Sequence, residues 1–308
     1  MDRHGVFLFA LLIASSATGA PLEPLSEAQR RLGVPTSVAR VTDASPLAES
    51  GIPDFVLIQD VHQHAEVQSE IASVLLYARR HWPVRTVFVE GAFSQIDLSA
   101  AVQGKSAGSP GTWIREGRLS GPEMAALMSN GELRLTGLED IDLYRANLRA
   151  YDAVMRDQDA AARELDGLRL VATSLDLQNA RYPEQDLALM NRLVRLRLKP
   201  SEIAEYRSAP VPRPHSPALR RTIEKAEIFY QLADERSRVF IDRAERESAE
   251  GPKVLVVGGF HTALMAEMLR EAGRSYAVLT PRVTQPGDER SYRERMRESV
   301  SALKLPQD

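Results

Sequence analysis

A chain of 308 residues, 44% hydrophobic and 26% charged, is long enough to bury a full core as one large domain or two modest ones, and its composition excludes a disordered protein. The formal charge of -3, with Arg and Lys interspersed among acids, supplies no global basic field and gives nucleic-acid binding no electrostatic support. The absence of cysteine excludes a disulfide framework, lipid attachment to a thiol, Cys-based catalysis and thiolate zinc binding.

The first element in chain order is an export signal. Arg3 and His4 precede the apolar run GVFLFALLIA, and the small-residue stretch SSATGA follows. This is the layout of a secretory signal peptide over residues 1–20, with cleavage after Ala17 or Ala20 and a periplasmic or secreted product. The apolar run is shorter than the ~20 residues of a spanning helix, so no stable membrane span is expected after cleavage. Residues 21–53 read as a polar leader.

Residues 54–59, DFVLIQ, form a strand, and 65–80 places Val67, Ile71, Val74, Leu75 and Ala78 on one helical stripe, a β-then-α unit. A second strand at 86–90 is followed by the loop GKSAGSPG, a helix at 120–129 and a strand at 132–138. From Asp142 to about Lys199 the pattern is almost continuously helical, with a restart at Ser201 and Glu202 after Pro200. The Pro-rich stretch 209–217 is a hinge, and a long helix runs from about 218 to 250 with Leu219, Ile223, Ala226 and Tyr230 on one face. Strand 253–257, a turn at 258–261, a helix at 262–272 and a strand at 275–280 complete the domain, and the tail at 286–308 is charged. The expectation is an α/β fold over 54–285, a largely parallel sheet flanked by helices, split by a helical insertion at 142–250.

Several chemistry-bearing side chains follow these strands. Asp60 and His62 come after FVLIQ, Glu90 after TVFV, Glu139 after ELRLTGL, and His261 after VLVVGGF. Strand C-terminal ends of an open α/β sheet share one edge, so these groups are expected to converge on one ligand. Glu90 at the end of an apolar strand is costly to bury unless it is paired or coordinating. Gly258 and Gly259 permit a sharp turn and close approach beside a bound group. His62, Glu90 and His261 are the expected catalytic residues. Together with Asp60 and Glu139 they also form a ligand set suited to Mn, Co or Zn with open water positions, while Gly258 and Gly259 border the bound group. In the absence of metal, Glu90 or His62 serves as a general base on water.

The order of three short motifs resembles the superfamily that includes Tiki-type and TraB-type proteins, haem-binding ChaN lipoproteins and erythromycin esterases. These are Gln59-Asp60-Val61-His62, Val89-Glu90-Gly91 and Gly258-Gly259-Phe260-His261. In the first motif, Gln59 stands where that superfamily carries Gly and Asp60 where it carries Glu. The resemblance spans roughly residues 54 to 281 and implies an α/β core with a helical insertion. It also implies metal-dependent peptide cleavage, His/Glu-assisted ester hydrolysis, or haem binding by a non-catalytic exported protein, with a peptide or small molecule as ligand. A separate reading takes Asp60-Val61-His62-Gln63-His64 as the Asp-x-His-x-His start of a barrel metallohydrolase. Such a barrel would need further ligands from His81, His215 and His261.

Overall fold

The structure is a computed structural model that describes residues 24–47, 50–61, 64–99, 110–174, 183–208, 216–248 and 251–284. The expected signal segment, His62, most of the 209–217 hinge with His215, and the tail after 286 lie outside the described residues.

Helix α1 (Leu25–Leu32) leads into strand β1 (Ala39–Ala44), so residues that read as a polar leader carry an element of the sheet. The strand is short and charged along one side, which hides it from a hydrophobic-run reading, and it pairs antiparallel with β6 (Tyr276–Pro281). The other strands are β2 (Phe55–Asp60), β3 (Thr86–Val89), β4 (Arg134–Gly137) and β5 (Lys253–Gly258). All six form one sheet in the order β1-β6-β2-β5-β3-β4, parallel except at β1. The sheet is open, with β1 and β4 as its edges, so the fold is α/β and not a closed barrel.

Alternation along the strands divides the core. Val56, Ile58, Val87, Val89, Val254 and Val256 face α2 (Ala65–His81), whose Val67, Ile71, Val74, Leu75 and Ala78 form the expected stripe. On this face α4 (Gly121–Met128) is started by Ser120 and Glu123, which satisfy each other's backbone N–H groups in a capping box. A short helix, α3 (Pro110–Arg115), precedes it. Leu57, Phe88, Leu255 and Val257 face the other way, against Phe240 and Ala244 of α8 (Pro217–Arg246) and Met265 and Leu269 of α9 (Gly259–Glu271).

Between β4 and β5 stand α5 (Ile141–Ser174), α6 (Glu184–Val194), α7 (Pro200–Ser208) and α8, the helical insertion. The insertion has its own core, in which Val154 and Leu165 of α5 meet Leu187 and Met190 of α6, Ile203 of α7, and Leu219, Ile223 and Tyr230 of α8. Among the described residues, the helical pattern to Lys199 is broken at two places. Pro183 starts α6 without a side-chain cap, and Leu196 takes a left-handed conformation (φ 53°) before α7. Among the described residues, no helix is long and apolar enough to cross a membrane.

Candidate functional site

Parallel register aligns the strand ends. Asp60 pairs with Gly258, the Glu90 N–H donates to the Val256 carbonyl, and the Leu138 N–H donates to the Val89 carbonyl. Glu90, Glu139 and His261 therefore come to one edge of the sheet, as their positions after strand ends imply. Gly91 adopts φ 83°, a left-handed turn that β-carbon-bearing residues resist, and this reverses the chain directly after Glu90.

His261 does not lie in a solvent-facing turn. Helix α9 begins at Gly259 with no intervening loop, so His261 is its third residue and is only 5% exposed. Gly258 has ordinary extended angles (φ -61°, ψ 157°) and contributes its N–H, which donates to Glu90 Oε2 at 2.7 Å. At Gly259 the backbone conformation is ordinary, and a β-carbon would press only against the Gln59 amide, the far end of a flexible side chain that can shift.

The group that joins these residues is Arg236 of α8. Its Nη2 donates to Glu90 Oε1 at 3.1 Å and to Glu139 Oε1 at 2.5 Å, its Nε to Glu139 Oε2 at 3.1 Å, and its Nη1 to Asn147 Oδ1 at 3.0 Å. The Gly91 N–H also donates to Glu139 Oε1, at 3.2 Å. The guanidinium lies 5.4 Å from the Tyr144 ring centre and 5.5 Å from that of Phe240, within cation–π range. Burial opposes its charge, but Glu139 and Glu90 outweigh that and hold its pKa above the ordinary arginine value. Glu139 is 1% exposed, and burial pushes its carboxyl up against the pull of Arg236. Glu90 adds a smaller upward push to Glu139, and with Glu139 it makes up the pair of negative charges that sustains the Arg236 cation.

His261 completes the network. Its Nδ1 lies 2.8 Å from Ser237 Oγ, and Ser237 can donate its single hydroxyl proton to the Ala233 carbonyl at 3.0 Å. With that proton on Ala233, Ser237 accepts from His261 and Nδ1 carries the imidazole proton; with it turned to Nδ1 instead, Nε2 carries the proton. Nε2 faces Glu90 Oε1, 3.5 Å away.

Asp60 stands apart from this network. It shares the sheet face of Val56 and Ile58, and its Oδ1 accepts from Gln68 of α2 at 2.6 Å, while Gln68 accepts the Gly121 N–H at 2.7 Å. Glu90 has the parity of Phe88 and points to the opposite face. His64 caps α2 by accepting from the Val67 N–H at 3.4 Å, and His81 ends that helix stacked on Tyr77. Neither approaches the role that a barrel metallohydrolase would give it.

The described donor set does not fit a divalent ion. Both oxygens of Glu139 and both of Glu90 accept hydrogen bonds, and a guanidinium sits between the two carboxylates. Among the described residues, no group of three or more His, Asp or Glu is arranged to hold a metal.

Sequence reasoning missed Arg236, Asn147 and Ser237. The signal lay in spacing: Arg236 and Ser237 interrupt the stripe of Tyr230, Ala233, Phe240 and Ala244, all buried positions on α8. An arginine on the core side of a helix requires a buried partner.

Comparison of this chain with protein-family models, with curated proteins and with solved structures finds no match. The likeness to the Tiki, TraB and ChaN group therefore rests on motif order and strand context alone.

Proposed function

We propose that this protein is an exported hydrolase of peptide or ester bonds in which His261, backed by Glu90, activates water. The observation that carries the reading is the orientation of His261. In the tautomer that has Nδ1 donating to Ser237, Nε2 is the basic nitrogen, and the carboxylate that would stabilise an imidazolium faces it. Nε2 and Glu90 Oε1 are 3.5 Å apart, too close for a water between them, so a water held by Nε2 would sit to the side of the carboxylate. In the reaction, water gives a proton to Nε2 as its oxygen attacks the carbonyl carbon. The proton then passes to the departing amine or alcohol as the tetrahedral intermediate collapses. Arg236 and the Gly258 N–H hold Glu90 in place through these steps.

The substrate reading follows from the rim. Val61, Phe93, Ile141 and Val283 are each 40–42% exposed, and they follow β2, β3, β4 and β6 at the edge where Glu90 emerges. Exposed large apolar side chains along the strand-end edge favour a substrate with apolar groups beside the scissile bond.

The test is hydrolysis of chromogenic esters and of peptides with apolar side chains by the purified protein. His261→Ala is expected to lower kcat by about 10²-fold or more, the usual share of a general base, and dialysis against EDTA is expected to leave the rate unchanged. A wild-type rate in His261→Ala would remove the mechanism, and activity that returns only with added Mn, Co or Zn would transfer it to a metal. Export is tested separately. Protein recovered from the periplasm or medium should begin near Thr18 or Pro21, and an intact Met1 in the membrane fraction would refute cleavage.

A further inference from the structure

We infer that Arg236 is the resident cation of this centre, filling the place between Glu90 and Glu139 that a divalent ion would take, with a cation site latent beneath its side chain. The guanidinium bridges both carboxylates, and it is fixed from behind as well as in front. Asn147 accepts from Nη1, the Tyr144 and Phe240 rings flank the group, and α8 anchors its backbone through Ser237 and Phe240 in the same buried stripe. Arg236 is 6% exposed and Glu139 1%, so neither can leave for water without stranding the other as an unpaired buried charge. An ion entering the wild-type centre would have to take carboxylate oxygens already committed to Arg236, Gly91 and Gly258. Removing the guanidinium reverses this. Two carboxylates and the Asn147 amide oxygen would then border a space of guanidinium size, with His261 Nε2 beside Glu90 Oε1, an oxygen-rich set of the kind Mn²⁺ accepts.

The test uses the whole protein, with thermal unfolding and calorimetric titration of Mn²⁺ on the wild type, Arg236→Ala, and the double variant Arg236→Ala/Glu139→Gln. Saturating Mn²⁺ is expected to leave the wild-type melting temperature unchanged and to raise that of Arg236→Ala by on the order of 5 °C, with roughly one ion bound per chain. The double variant, with one carboxylate neutralised, is expected to lose most of that rise. A rise in the wild type equal to that in Arg236→Ala would overturn the inference, as would Arg236→Ala that takes up no Mn²⁺. If Arg236→Ala does not fold alone, refolding with and without Mn²⁺ decides the matter: recovery only with Mn²⁺ supports the inference, and failure in both overturns it. No readout involves turnover, so the result stands apart from the success or failure of the hydrolase reading.

Discussion

At Glu139 two effects oppose each other, burial pushing the carboxyl up and Arg236 pulling it down, and burial prevails. With a folded pKa above the ordinary glutamate value of about 4.3, the folded protein binds more protons than the unfolded chain between the two values. The stability that this group contributes is therefore full below the ordinary value and is lost as pH rises through the raised one. Glu139→Gln removes the titration, so wild-type stability should fall relative to the variant as pH rises across the weakly acidic range. Urea unfolding of both proteins at several pH values checks this, and a difference that stays constant with pH refutes it. Glu139 and Glu90 were legible in sequence because each acid directly follows an apolar strand. Their partner was not, because Arg236 lies almost 100 residues from Glu139, and only the docking of α8 on the sheet brings them together.

The turns at the strand ends, more than the strands themselves, place the site. Gly137 ends β4 where the backbone of 92–93 crosses it, and a β-carbon there would overlap the Ala92 carbonyl. That crossing is held by the Gly137 N–H on the Ser94 carbonyl at 2.9 Å and by the Glu139 N–H on the Ala92 carbonyl at 2.9 Å. Gly137→Ala should therefore destabilise by about 1–3 kcal/mol, the usual cost of forcing extra volume into a packed site. Because the Glu139 backbone belongs to the same crossing, hydrolytic activity should fall as well. Equal urea midpoints for the variant and the wild type would show that the crossing yields freely. The next turn is tied down from the helix side. Arg243 of α8 donates to the Glu139 carbonyl, and Asp140 caps α5 by accepting the Asp142 and Leu143 N–H groups at 3.0 and 3.1 Å. None of these glycine, arginine or cap roles has periodicity, so hydrophobic spacing found the elements they connect and not the connections.

Helix α8 belongs to two cores at once. Leu219, Ile223 and Tyr230 pack within the insertion, and Phe240 and Ala244 pack on the sheet. A single continuous helix shared in this way couples the two, so insertion and sheet should unfold together. Fluorescence of Trp82 and Trp113, both packed on the α2 side of the sheet, and helix-dominated circular dichroism should then report one coincident urea transition. A circular-dichroism transition at lower urea than the fluorescence one would show the insertion melting by itself. By itself the sequence determined what local patterning can encode: the five apolar strands, the helices between them, the insertion, and the acids and His261 at strand ends. Tertiary structure alone decided the antiparallel edge strand β1, whose alternation is too short and too polar to stand out, and the separation of Asp60 from Glu90. Neighbouring strand ends share an edge, but side chains leave it on alternate faces, and pairing register sets which face each takes. It also decided that the cation between the two glutamates is a side chain of this chain. A buried charge is recognised by what surrounds it, and those surroundings come from α5, α8, β3 and β4, segments that only folding brings together.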